Sequence, residues 1–182
     1  YYPCNQGVAE GNNTSLLTLT DYSASGFNGT LTNFDMGTSN WGSRSSGDNC
    51  LSFDGIDDYI DLGKSEAINY SGGFSFTGFI KWNKFNSWSR IIDFGNGAGS
   101  DNILLANNGI QSVITFSIRR GSSETIITSS KILNANQWYY IAATVSATGT
   151  LNLYFDGVLD KTATGFNLPN TLVRNKQYIG KS

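Results

Sequence analysis

The stretch LSFDGIDDYIDLG, residues 51–63, sets Asp54, Asp57, Asp58 and Asp61 within one short segment. Carboxylates this dense can pair for acid–base catalysis, ligate a hard cation, or cap turns. Glycoside hydrolysis needs two carboxyls about 5 Å or about 6.5–9.5 Å apart, one of them held as an acid. Asp57 and Asp58 are adjacent, so on a strand they would face opposite sides of the sheet. The glutamates, Glu10, Glu66 and Glu124, are scattered through polar stretches. There is no His to act as base for a Ser or Cys nucleophile. The residues therefore read as those of a chain that is not an enzyme. Asp54-Gly55 reads as a hairpin turn. Asp61 alternates with Ile60 and Leu62 and reads as a residue of a solvated face.

A cation is the second possibility. Ca²⁺ takes six to eight oxygens from carboxylates, amides and backbone carbonyls, often from irregular loops. The segment from 21 to 30 offers Asp21, Asn28 and glycine-rich backbone, and Asp57 or Asp58 would close the shell from a neighbouring hairpin. The alternative for Asp21 is an Asx-turn, in which the carboxylate accepts a backbone N–H two residues on. Both readings stand at this point.

The elements that must position these groups are strands. Alternation recurs in Phe74–Trp82, Ser112–Arg119, Trp138–Val145, Leu151–Phe155 and Val158–Thr162. Asp156-Gly157 joins the last two and is a strong hairpin signal, because both central residues must accept positive φ. Residues 144–150 read as a second hairpin turn, and Lys64–Tyr70 as one short helical turn. Turn signals spaced by about 8–12 residues point to a sandwich. One domain over residues 1–182 accounts for the length. Charged residues are only 14% of the chain, against roughly 25% in ordinary soluble domains. Polar character comes instead from Asn, Ser, Thr and 21 Gly, a composition common in extracellular proteins. The net charge of −2, with no basic stripe, excludes nucleic acid as partner. No apolar run approaches the roughly 18 residues of a membrane span. Cys4 and Cys50 are too few for a four-ligand zinc site without His. In a secreted chain they read as a disulfide, the alternative being two buried thiols.

Five segments in order resemble the laminin-G-like jelly-roll domains of the concanavalin A-like lectin group. They are Asp21–Leu31, Leu51–Leu62, Gln137–Val145, Leu153–Val158 and Tyr178–Gly180. The resemblance implies an all-β jelly-roll sandwich of two antiparallel sheets, and it makes Asp21 the leading calcium ligand, with Asn28 helping. The family usually places apolar residues where Cys4 and Cys50 stand, and it continues past "y-I-G" with a further strand. That departure reads as a fragment, or as an edge that another chain completes. Gly97–Leu104 is similar to a pentraxin segment whose Asp and Asn bind calcium on the ligand face, which nominates Asp101 and Asn102. The remaining pentraxin ligands have no counterpart here, since Lys181-Ser182 stand in their place.

Sugar recognition combines an aromatic platform with amide, carboxylate and Arg groups for hydroxyls. Trp138, Tyr140 and Trp82 fall on alternating strands and read as packing. Trp41 and Trp88 fall in polar connections and read as exposed. Trp88, Arg90, Asp101 and Asn102 are therefore the candidate ligand contacts, with Arg90 and Asp93 also readable as a structural pair. The expectation is a non-catalytic, calcium-assisted carbohydrate-binding or adhesion module. Its partner would be a glycan or glycoprotein, and the module would be part of a larger secreted or cell-surface chain. The rival is a structural or protein-binding module with no sugar site.

Overall fold

A computed structural model of the chain describes residues 1–35, 40–44, 47–63 and 66–181. The start of the expected turn at 64–70, Thr38-Ser39 and Ser182 lie outside those residues. The described residues form strands and turns without a helix. Eight strands make the larger antiparallel sheet. In spatial order they are β1 (Thr18–Leu19), β2 (Gly29–Thr32), β5 (Tyr59–Asp61), β14 (Lys176–Ile179), β7 (Arg90–Gly95), β8 (Ile103–Asn107), β9 (Ile114–Arg120) and β10 (Ser123–Thr128). Four strands make the second, in the order β13 (Val158–Ala163), β12 (Leu151–Phe155), β11 (Trp138–Ser146) and β6 (Gly73–Lys81). The short strands β3 (Trp41–Ser43) and β4 (Asn49–Leu51) pair only with each other. This is the jelly-roll sandwich that the alternation and the resemblance predict.

Alternation builds the core. On β11 the inward residues are Tyr139, Ile141, Ala143 and Val145; opposite them on β6 lie Ile80, Gly78, Phe76 and Phe74. From the larger sheet come Ile92, Ile103, Leu105, Ile114, Phe116 and Ile118. Phe76 joins the layers, with ring centroids 5.5 Å from Phe94 and 6.4 Å from Phe116. A second cluster of Leu19, Leu31, Phe34, Trp41 and Ile60 lies toward the N-terminal segment. Trp41, expected to be exposed, is only 1% accessible. The N-terminal segment covers it so closely that a Cβ on Gly7 would lie 2.2 Å from its ring.

Two turn readings come out differently. Asp156 and Gly157 adopt φ of 54° and 81°, and they connect the paired strands β12 and β13 as predicted. Asp54-Gly55 is not a hairpin turn. It lies between β4 and β5, which pair with other strands. The Asp54 carboxylate instead accepts the N–H groups of Ile56, Asp57 and Asp58, at 2.8, 3.2 and 3.4 Å, and organises an Asx-type turn.

Candidate functional site

Directly opposed residues of antiparallel strands project from the same face. One such row crosses the outer face of the larger sheet: Thr30, Asp61, Tyr178, Asp93, Leu104, Ser117 and Ile126. A second row holds Arg90, Ala106, Thr115 and Thr128. Ala106, Thr115 and Ser117 are almost fully buried although they point away from the core. Thr115 and Ser117 form the floor of an open groove of about 390 Å³, lined also by Trp88, Arg90, Leu104, Glu124 and Ile126. Small residues at the centre of a curved face leave room for a ligand.

Trp88 stands at the edge of this groove. Its backbone occupies the left-handed region, at φ 54°, which a bulky side chain enters only when its surroundings demand it. Here its N–H donates to the Gly109 carbonyl at 2.8 Å, and its carbonyl accepts Arg90 Nη1 at 2.6 Å. Beneath, the buried Asn107 amide donates to the carbonyls of Asn86, Gly109 and Gln111, at 2.9, 2.7 and 3.3 Å. That amide ties the loop carrying Trp88 to the 109–111 turn. Nothing in the sequence around Asn107 marks this task, because the three carbonyls meet only in the folded chain.

Arg90 continues the network inward. Its Nε lies 3.7 Å from Asp93 Oδ2, and Asp93 Oδ1 accepts Asn102 Nδ2 at 2.7 Å. Burial pushes the Asp93 carboxyl above its usual range, against the opposing pull of Asn102 and Arg90. Asn102 Oδ1 accepts the Ser100 N–H at 2.8 Å. The structure thus joins Trp88, Arg90 and Asn102 through Asp93, but only Trp88 and Arg90 line the groove. Asp101 is engaged elsewhere. Its Oδ1 accepts Asn170 Nδ2 at 2.7 Å and the Gly121 N–H at 3.3 Å, and its carbonyl accepts Arg174 Nε at 3.1 Å. Glu124 pairs with Arg119 across β9 and β10.

The expected calcium shell from two loops does not assemble. Asn28 precedes β2, whereas Asp57 accepts Asn33 Nδ2 beyond its far end. Four extended residues at about 3.4 Å each separate the loops. Asp21 is also saturated with donors. Oδ1 accepts the Tyr1 α-ammonium at 2.6 Å and the Ser23 N–H at 2.8 Å; Oδ2 accepts the Ser23 hydroxyl at 2.7 Å and the Phe27 N–H at 2.9 Å. The α-ammonium first, then Ser23, hold this carboxyl well below the usual range. Asn28 Oδ1 accepts the Asp21 N–H at 2.9 Å. These two residues build an Asx-turn.

Asp57 and Asp58 fit one better, joined by Asp54. One oxygen from each lies within 4.8 Å of the others. Asp58 Oδ2 accepts the Asp54 N–H at 2.8 Å and Asn40 Nδ2 at 3.1 Å. Asn40 is 5% accessible, and its own Oδ1 is buried without a hydrogen-bond partner among the described residues. Burial raises the Asp58 carboxyl, aided by the charges of Asp54 and Asp57.

Cys4 and Cys50 are both half-buried and are free thiols, not the expected disulfide. Burial, then the neighbouring Cys50, pushes the Cys4 thiol up to about 11.

A laminin G family model, described as "Concanavalin A-like lectin/glucanases superfamily", matches residues 54–182. No curated protein matches the sequence. Among solved structures, the chain is similar to the binding domain of botulinum neurotoxin serotype G, at 15% identity and a TM-score of 0.57, covering 91% of this chain and 44% of that one. A botulinum neurotoxin type C structure, described through that toxin's dependence on two ganglioside molecules for cell entry, gives 18% identity and a TM-score of 0.53, with 97% and 48% covered. Carbohydrate-binding module CBM66 of Bacillus subtilis gives 12% identity and a TM-score of 0.46, with 83% and 90% covered. At these identities the likeness to the two toxin structures is one of fold. The chain spans less than half the length of the two toxin structures.

Proposed function

The chain belongs to the concanavalin A-like lectin/glucanases superfamily, and on that premise we propose that it is a non-catalytic carbohydrate-binding and adhesion module. The observation that carries the reading is the groove on the outer face of the larger sheet, with Trp88 held at its edge in a strained backbone conformation. In this reading the Trp88 ring stacks on the C–H face of a sugar. Arg90 donates to hydroxyls, while Thr115, Ser117 and Glu124 meet hydroxyls on the floor and far wall. Strain at Trp88 is consistent with a side chain placed for contact, since left-handed aromatic residues cost of order 1–3 kcal/mol.

The carboxylates on this face support binding rather than hydrolysis. Glu124 is neutralised by Arg119, and Asp93 is buried beneath Arg90 and Asn102. Both carboxylates are engaged by protein donors rather than set as an open pair across the groove. Calcium, on this reading, sits at Asp54, Asp57 and Asp58, where the unpartnered Asn40 oxygen supports an oxygen-ligated ion. It would neutralise three crowded carboxylates and stiffen the turn. The polar, low-charge composition supports a secreted or cell-surface location.

A glycan array probed with the wild-type chain and with Trp88→Ala tests the groove. The expected result is sugar binding that the substitution reduces at least tenfold, with the thermal midpoint unchanged. Binding that Trp88→Ala leaves intact would remove the groove from the site. Release of reducing sugar from a bound polysaccharide would end the non-catalytic reading.

A further inference from the structure

The outer face of the smaller sheet departs from its own alternation. Rows Ser75–Thr144–Asn152–Thr162 and Thr77–Ala142–Tyr154 are mostly small or polar, as a solvated face requires. The next two rows are Phe79–Tyr140 and Lys81–Trp138. Trp138 and Tyr140, expected in the core, project outward here, because Tyr139 and Ile141 take the inward positions. Phe79 is 53% accessible, and its ring lies 4.9 Å from that of Tyr140.

Two cations lie over these rings. The β3–β4 turn brings the Arg44 guanidinium to 4.1 Å from the Phe79 centroid and 5.2 Å from that of Trp138. Lys81 Nζ lies 5.4 Å from the Trp138 centroid. Neither cation forms an ion pair among the described residues. Both charges also bear on the Cys50 thiol, so they converge on one side of the patch. Asp156 Oδ1, beside the patch, accepts the Tyr140 N–H at 2.9 Å. Arg and Lys carry donors only, so a ligand here must bring acceptors. The exposed Phe79 ring, flanked by the half-buried Tyr140 and Trp138, suits the C–H side of a sugar ring, and paired cations suit a carboxylate on that ring.

We propose that this face is a second ligand surface, for an acidic polysaccharide bearing uronate carboxylates, with Phe79, Tyr140 and Trp138 as platforms and Arg44 and Lys81 as carboxylate donors. The surface lies on the opposite sheet from the Trp88 groove and does not depend on it. Two features argue for this occupant: the charge complementarity, and the exposed Phe79 ring lying beside Tyr140 with Arg44 and Lys81 over the neighbouring rings.

The test is titration of the 182-residue chain with polygalacturonate and with the same polymer fully methyl-esterified. The wild type should bind the acid form and not the ester, with binding that falls as salt rises. Arg44→Gln and Lys81→Gln should each weaken it about fivefold, the upper end for an exposed ion pair. Phe79→Ala should weaken it further, and Trp88→Ala should leave it unchanged. Equal binding of acid and ester, or unaltered binding by the Arg44→Gln/Lys81→Gln double variant, would overturn the proposal. So would equal binding of polyglutamate, which would assign the face to acidic peptides. A wild-type dimer that Phe79→Ala converts to monomer would assign it to a second copy, with the same consequence. Loss of uronate binding in Trp88→Ala alone would return the ligand to the groove.

Discussion

Asn107 shows how one side chain supports the site without touching it. Its buried amide donates to three backbone carbonyls that tie two loops together. Asn107→Ala should lower stability by about 1–3 kcal/mol, the cost of stranding buried polar groups. It should also weaken any ligand that depends on Trp88, which calorimetry of both properties would register. Asp21 makes a pH prediction. Its folded carboxyl lies below the ordinary value, so its contribution is complete above the usual aspartate range, near pH 4. The contribution is lost as pH falls toward the folded value. Asp21→Asn should therefore melt lower than wild type at pH 7, and the gap should begin to narrow as pH falls below about 4 in a thermal series. At this scale the sequence was only partly legible. Trp88 and Arg90 stood out by type and setting. Asp93 and Asn107 did not, because their partners are distant in the chain.

Among the elements, the hairpins carry their own instructions. Gly149, in the turn between β11 and β12, adopts φ 74°, and a Cβ there would lie 2.2 Å from the Phe166 carbonyl oxygen. Gly149→Ala should cost about 2–4 kcal/mol from backbone strain and overpacking, measured by denaturant unfolding. Strands β6, β11 and β12 were readable because one face is more buried than the other, and β13 because the Asp156-Gly157 turn joins it to β12. Strand β8 was harder: its outward-facing Ala106 is buried as fully as its inward neighbours Ile103 and Leu105, so the period-two contrast fades. β3 was missed because its Trp41 is covered by residues about 35 positions earlier.

For the molecule as a whole, calcium and the cysteines bear on stability. If the 54–58 turn takes calcium, a 100-fold excess over Kd should stabilise folding by about 2–3 kcal/mol. The increment should vanish in Asp57→Asn and fade at acid pH, where the raised Asp58 carboxyl binds a proton instead. Scanning calorimetry with calcium and with chelator measures it. Thiol titration after mild oxidation checks the cysteines. Cys4, with its thiol raised to about 11, should oxidise slowly at neutral pH. Closure of the loop from Cys4 to Cys50 should then add about 4 kcal/mol.

Alternation of apolar and polar residues, turn chemistry at Asp156-Gly157 and five motifs in order were enough to determine two stacked antiparallel sheets. These are local signals: each depends on a residue and its near neighbours along one strand. The curvature that opens a groove, the face each aromatic takes and the separation of Asp21 from Asp57 were decided only by the tertiary structure. Each depends on which strands lie side by side, and a shift of one position along a strand exchanges inside for outside. Trp138 and Tyr140 show the consequence: the alternation was read correctly, but only strand pairing and burial decided which of its two faces met the core.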